Sequence, residues 1–138
     1  MVKLESEFTR VEVMSGIDKV AAFTGKLNSG ENTKKLMKLG VTGITIYNNV
    51  IGCGVQHGCA EYEYELDPKK IAFQLLPKSV VTIICETDKV NELIEFLKLE
   101  LYTGHIGDGK IFVSDVRNII RVRTGEEGAE ALKTSSIN

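Results

Sequence analysis

TGHIGDGKIFVSDVRNIIRVRTGE, residues Thr103 to Glu126, places backbone freedom, fixed positive charge and a strand side by side in one short run. Gly104, Gly107 and Gly109 surround Asp108 just ahead of Lys110. Closely spaced glycines let successive backbone N–H groups turn inward on phosphate oxygens with no Cβ in the way, and Lys110 adds a point charge at the lip. Ile111, Phe112 and Val113 then predict a strand, and Arg121 and Arg123 follow two positions apart. On an extended backbone that spacing aims both guanidiniums at one face, and two forked cations suit a polyphosphate. This is not a P-loop, because Ile111 follows Lys110 where that motif needs Ser or Thr. Taken singly, a glycine turn is usually only a turn and the arginines a solvated strand face. Together they read as a candidate anion site.

Upstream of this stretch, Thr87 and Asp88 offer an N-cap, and Val90, Leu93, Ile94, Leu97 and Leu101 recur at helical spacing as a core-facing stripe. Before that helix, Phe73 to Cys85 reads as a strand whose regular pairing is expected to start after Pro77. Further back, Val41 to Gly52 alternates as another strand, with Ile44 and Ile46 against Thr45 and Tyr47. Between the two strands, Cys53 to Lys70 is a long connection carrying Gly54, Gly58 and the run EYEYEL before Asp67-Pro68. Connections of that length in compact domains are functional or disordered, and EYEYEL also suits a two-stranded projection. Asn28 to Glu31 starts a helix through Leu36, Met37 and Leu39 that Gly40 ends, and Lys19 to Leu27 is expected as the first strand. Residues 1–18 show no firm period and read as an extra strand or a frayed tail, and Thr124 to Asn138 reads as a loose tail.

TGHIGDGKIFV followed by RVRTGE resembles the second signature of the PII signal-transduction family, trimeric nucleotide sensors of nitrogen and energy status. LGVTGITI, GCGVQHG and LLPKSVVTII extend the resemblance upstream in the family's order, over roughly residues 19 to 132. The resemblance implies an α+β fold, a ferredoxin-like βαββαβ sandwich with a long T-loop between the second and third strands, assembled as a homotrimer. The domains expected are an N-terminal extension over 1–18, the PII-like domain over 19–132 and a tail over 133–138. It further implies ATP and ADP binding in clefts between subunits. Thr45, Cys53, Gly54, Val55, Gln56 and Ile84 would line the cleft, with Gly107, Asp108, Gly109 and Lys110 around the phosphates. Arg121 and Arg123 would reach across from the neighbour. Mg2+ would accompany ATP, and 2-oxoglutarate would meet Gln56 and Lys78 in members that bind it. The T-loop would dock on a partner protein, such as a membrane transporter or an enzyme of nitrogen metabolism, with no catalysis required. Departures from the family pattern concentrate in the arm: Val55 stands for the usual arginine, His57 for a lysine, and CAEYEYEL replaces the common continuation. His105 stands where the family commonly has lysine.

Composition fits this class and closes others. The 138 residues, 43% apolar and 26% charged, suffice for one domain with its own core. A net charge of −2 lacks the basic stripe that nucleic-acid or anionic-membrane binding requires. No apolar run reaches membrane-span length, and the charged start MVKLESEFTRVEV argues against a signal peptide, so a cytoplasmic protein is expected. Cys53, Cys59 and Cys85 are too few and odd in number for a disulfide framework. Cys53, His57 and Cys59 form a competing constellation, a metal- or redox-responsive module with three ligand-type side chains. An enzyme using His57 or His105 as general base is the third alternative, and neither histidine has a sequence neighbour that completes a site. The strand residues Ile44, Ile46, Val81, Ile83, Val113 and Ile120 exceed what one helix-covered face needs, so burial against other copies is expected.

Overall fold

The structure, a computed structural model, describes residues 6–56, 72–104 and 109–133. Four strands form one antiparallel sheet: β1 (Phe8–Gly16), β2 (Thr45–Gln56), β3 (Ala72–Glu86) and β4 (Lys110–Val116), in the spatial order β2-β3-β1-β4. The connections carry α1 (Ile17–Gly25), α2 (Gly30–Lys38) and α3 (Val90–Leu101), and a short α4 (Ala129–Leu132) follows β4. This is the ferredoxin-like βαββαβ arrangement, with the first crossover split into two helices.

The register assigns the two faces. Val13 stands opposite Val81 and Ile111, and Val11 opposite Ile83 and Val113, so the odd-numbered side chains of β1, β3 and β4 share one face. Val11, Val13, Val81 and Ile83 are buried there against Val20 and Phe23 of α1, Leu36 of α2, and Leu93, Phe96 and Leu97 of α3. Each such side chain contributes about 1.5–3 kcal/mol on burial. Phe23 and Phe96 meet edge to face at 6.5 Å between ring centroids, and the Lys35 ammonium lies 5.6 Å from the Phe96 centroid. Polar groups tie the strands to the segments around them. Buried Thr9 donates to Thr87 Oγ1 at 2.7 Å, which passes its own proton to the Ser6 carbonyl at 2.7 Å. Buried Ser79 donates to Asn48 Oδ1 at 3.0 Å, closing the bulge between Tyr47 and Val50.

Several expectations change. Lys19–Leu27 is not the first strand: residues 17–25 are helix α1, and Val20 and Phe23 are buried at helical spacing. The first strand lies in the segment read as an N-terminal extension, and β1 sits between β3 and β4 at the centre of the sheet. A domain boundary at residue 18 would therefore remove the strand on which both neighbours pair. Its period was hidden because Thr9 and Ser15 are polar yet face inward with Val11 and Val13. The β2–β3 ladder runs through Pro77, paired with Ile51, and out to Gln56 opposite Ala72. β1 ends opposite Lys78, so from Pro77 outward β3 has a neighbour on one side only and proline is tolerated. Cys53 to Gln56, expected at the start of the long connection, is thus strand; His57 to Ile71, including EYEYEL, lies outside the described residues. The expected loose tail contains α4.

Candidate functional site

Around the end of β1 the chain gathers the sequence-predicted anion site. Lys110 opens β4 opposite Met14, and Lys78 on β3 stands opposite Gly16. Both are even-numbered and share the face away from the helices. With β1 between them they lie two strand spacings apart and two residues offset along the strands, about 12 Å between Cα positions. Gly109 precedes Lys110 with φ 98°, and an added Cβ would meet the Met14 carbonyl oxygen at 2.1 Å and Ser15 Cα at 2.9 Å. Only glycine lets the bend seat on the β1 backbone at this point. Lys19, in the first turn of α1, donates to Thr103 Oγ1 at 3.2 Å and ties the approach to the bend onto that helix. His105, Gly107 and Asp108 lie outside the described residues.

The β2–β3 arm leaves from the same end. A Cβ on Gly52 would come within 3.0 Å of Lys78 Cε and 3.2 Å of its Cδ. The Lys78 stem therefore lies across Gly52, two residues outward from its own Cα partner Val50, and its ammonium is directed along the arm. Cys53, Gly54, Val55 and Gln56 continue β2 outward, paired with Leu75, Gln74, Phe73 and Ala72. His57 and Cys59, the remainder of the competing metal constellation, lie outside the described residues. Among the described residues no group of three His, Cys, Asp or Glu is placed to hold a metal. Cys85 is buried in the core; burial, then the Asp88 and Glu86 carboxylates, push its thiol up to about 11.

Thr45, opposite Thr82, and Ile84, opposite Arg10, both belong to the helix-free face. That face carries Met14, Tyr47, Thr82, Ile84 and Phe112, with Tyr47 55% and Phe112 51% exposed. The apolar set expected for a second buried surface is therefore corrected: Ile46, Val81 and Ile83 point into the helix-covered core, Ile44 packs against it, and Ile120 is on no strand of the sheet.

Arg121 and Arg123 do not share a strand face. Beyond an isolated bridge between Ile120 and Glu127, residues 122–124 form a turn in which Gly125 N–H donates to the Arg121 carbonyl at 2.8 Å. Arg121 is held by Glu126 at 2.9 Å and by carbonyls of the α4 end, whereas Arg123 is exposed and has no partner among the described residues. The turn lies at the other end of the sheet. β4 runs from Lys110 opposite Met14 to Val116 opposite Phe8, a span of about 20 Å, and Gly128 approaches the Phe8 ring. A cavity of about 330 Å³ opens at this end among Met37, Val41, Thr42, Glu86 and Leu132, where Thr42 Oγ1 donates to the Leu132 carbonyl at 2.7 Å. One chain thus brings Gly109, Lys110, Lys78 and the arm together and sets Arg121 and Arg123 apart from them. Sequence reasoning missed the floor of the first group, Met14 to Gly16, because the period of β1 was masked. It also missed Glu126 as the partner of Arg121, although an acid five residues from an arginine across a Thr-Gly turn was a readable signal.

The family profile described as "Nitrogen regulatory protein P-II" matches residues 17–126. A Bacillus subtilis protein described as a nitrogen regulatory PII-like protein is 39% identical over 120 residues, 86% of this chain and all of that one. A Cyanidium caldarium nitrogen regulatory protein P-II is 40% identical over 98 residues, 71% of this chain and 83% of its own length. Among solved structures, the B. subtilis GlnK–ATP complex superposes with a TM-score of 0.66 at 33% identity, covering 90% of this chain and 94% of that one. Arabidopsis thaliana PII bound to citrate superposes with a TM-score of 0.65 at 28% identity, covering 97% of each chain.

Proposed function

The chain belongs to the nitrogen regulatory protein P-II family, and from that premise we propose that it binds ATP and ADP in clefts between its own copies and signals through the β2–β3 arm. The observation that carries the reading is the separation of the two cation sets. Lys110 and Lys78 stand at one end of the sheet, and Arg121 and Arg123 beyond the other, so a single chain cannot close both sets on one phosphate chain. A second copy supplies the missing half. The helix-free face, with Met14, Ile84 and Phe112, gives that copy an apolar surface to cover, and a homotrimer as in the family resemblance is the assembly we assign. The similar B. subtilis GlnK was solved as an ATP complex, which supports the ligand class.

In the assembled cleft, the bend of Gly107, Asp108, Gly109 and Lys110 cradles the phosphates. The base of the arm, Cys53 to Gln56, together with Thr45 and Ile84, lines the nucleoside side, and Arg121 and Arg123 arrive from the neighbour. Mg2+ joins with ATP, and 2-oxoglutarate meets the Lys78 ammonium and Gln56. ATP and ADP differ in phosphate charge, so they stabilise different arm conformations, and only that difference in affinity moves the arm. The arm then engages or releases a partner protein, a membrane transporter or an enzyme of nitrogen metabolism. The chain acts in the cytoplasm as a regulator without turnover of its own.

Calorimetry of the intact oligomer with ATP and with ADP, each with and without Mg2+ and 2-oxoglutarate, tests the reading. Saturable binding of both nucleotides in one site class is expected. Absence of adenine-nucleotide binding would overturn it.

A further inference from the structure

Resting on the nucleotide reading above, we infer that Glu126 and the carbonyl end of α4 are an internal stand-in for phosphate on Arg121, and that a bound nucleotide releases residues 129–133 by taking their place. The Arg121 side chain is 17% exposed, and Nη1 pairs with Glu126 Oε1 at 2.9 Å, an oxygen that also accepts from Thr124 Oγ1 at 2.8 Å. Nη2 donates to the carbonyls of Glu130 and Ala131 at 3.2 Å each and to that of Lys133. The last carbonyls of a helix lack partners within it, and a cation there both satisfies them and opposes the helix dipole. In this chain the cation is Arg121.

Guanidinium geometry makes the contact exclusive. An arginine grips an anion in two ways, end-on through Nη1 and Nη2 or side-on through Nε and Nη2, and both forks use Nη2. With three carbonyls sharing the two Nη2 hydrogens and a carboxylate on Nη1, neither fork is open. A forked phosphate contact therefore requires the α4 carbonyls to leave. Arg123 has no such engagement among the described residues and meets an anion directly. The two arginines, similar in sequence, thus have different duties: Arg123 captures, and Arg121 exchanges. A phosphate competes well for that exchange because it carries more charge than the carboxylate and three neutral acceptors it displaces. Loss of the Arg121 contacts leaves α4, a four-residue helix, held mainly by its own Gly128 and Ala129 carbonyls and by Thr42.

Two measurements on the intact oligomer test the inference. Hydrogen exchange at the amides of Ala131, Leu132 and Lys133, which donate to the Gly128 and Ala129 carbonyls, is expected to speed severalfold on saturation with ATP. Glu126→Gln, which keeps the shape and removes the competing charge, is expected to bind ATP about two- to fivefold more tightly. Unchanged or slower exchange with ATP bound, or unchanged or weaker ATP affinity in Glu126→Gln, overturns the exchange while leaving nucleotide binding standing. No ATP binding by the unaltered chain overturns the nucleotide reading and this inference together.

Discussion

Gly109→Ala separates the seating of the glycine bend from ordinary glycine strain. At φ 98° an alanine costs about 1–2 kcal/mol in backbone strain alone. Its Cβ would also fall 2.1 Å from the Met14 carbonyl oxygen, well inside contact distance and against backbone on a central strand that cannot rotate away. Forcing such a contact adds about 1–3 kcal/mol, for a total of about 2–5 kcal/mol. Gly125→Ala supplies the control, because Gly125 has φ 75° and nothing within 4 Å of where a methyl would stand, so it carries strain without the clash. In urea, with a slope of about 2 kcal/mol/M for a chain of this size, Gly109→Ala should unfold about 0.5–1.5 M below Gly125→Ala. Every variant is compared at one protein concentration, since assembly contributes to apparent stability. Because Lys110 follows at once in β4, the same substitution should weaken ATP binding. Equal midpoints for the two alanine variants would refute the seating of the bend on β1.

Leu93→Ala, at a side chain with no exposure on the core face of α3, should cost about 2–5 kcal/mol in denaturant titration. The Cys85 thiol, raised from 9.0 to about 11 in the folded chain, keeps its proton where the unfolded chain has lost it. Stability should therefore fall as pH rises from about 9 to about 11, and Cys85→Ala should flatten that part of the curve; peptide mapping after alkylation at pH 8 should find Cys85 unlabelled in the native protein. If the cleft needs two copies, Lys110→Ala and Arg123→Ala should each weaken ATP binding, and mixed oligomers of the two should recover a fraction of fully intact sites. No recovery in verified mixed oligomers would place both residues in the same half.

Much of the fold was legible where the apolar period was clear, although the cap expected at Thr87 and Asp88 is not made: these residues belong to a short 3-10 turn, and Lys89 is the N-cap of α3. Val90, Leu93 and Leu97 announced α3 because their stripe is continuous and wholly apolar, and Gly40 follows α2 with φ 74° as its position suggested. The early chain misled for opposite reasons. In α1 the small, mostly apolar run VAAF satisfies both a two-residue and a helical period, and only burial of Val20 with Phe23 decides between them. In β1 the inward Thr9 and Ser15 look like surface residues, since their compensation, as in the bond from Thr9 to Thr87, comes from a residue 78 positions away. For the site, the glycine bend and Lys110 were readable as chemistry, whereas the opposite placement of Arg121 depends on the sheet register. A local sequence window cannot contain that register.

The placement of β1 also governs how the molecule comes off the ribosome. Its first strand is made early but meets Cys85 and Asp115, through Thr9, only after most of the polypeptide exists. Such distant pairings are slow to close, so the nascent chain carries an unsatisfied central strand for nearly the whole of translation. Initiation at Met14 instead of Met1 would discard most of that strand, leaving β3 and β4 with no common neighbour, and its product should be found in inclusion bodies.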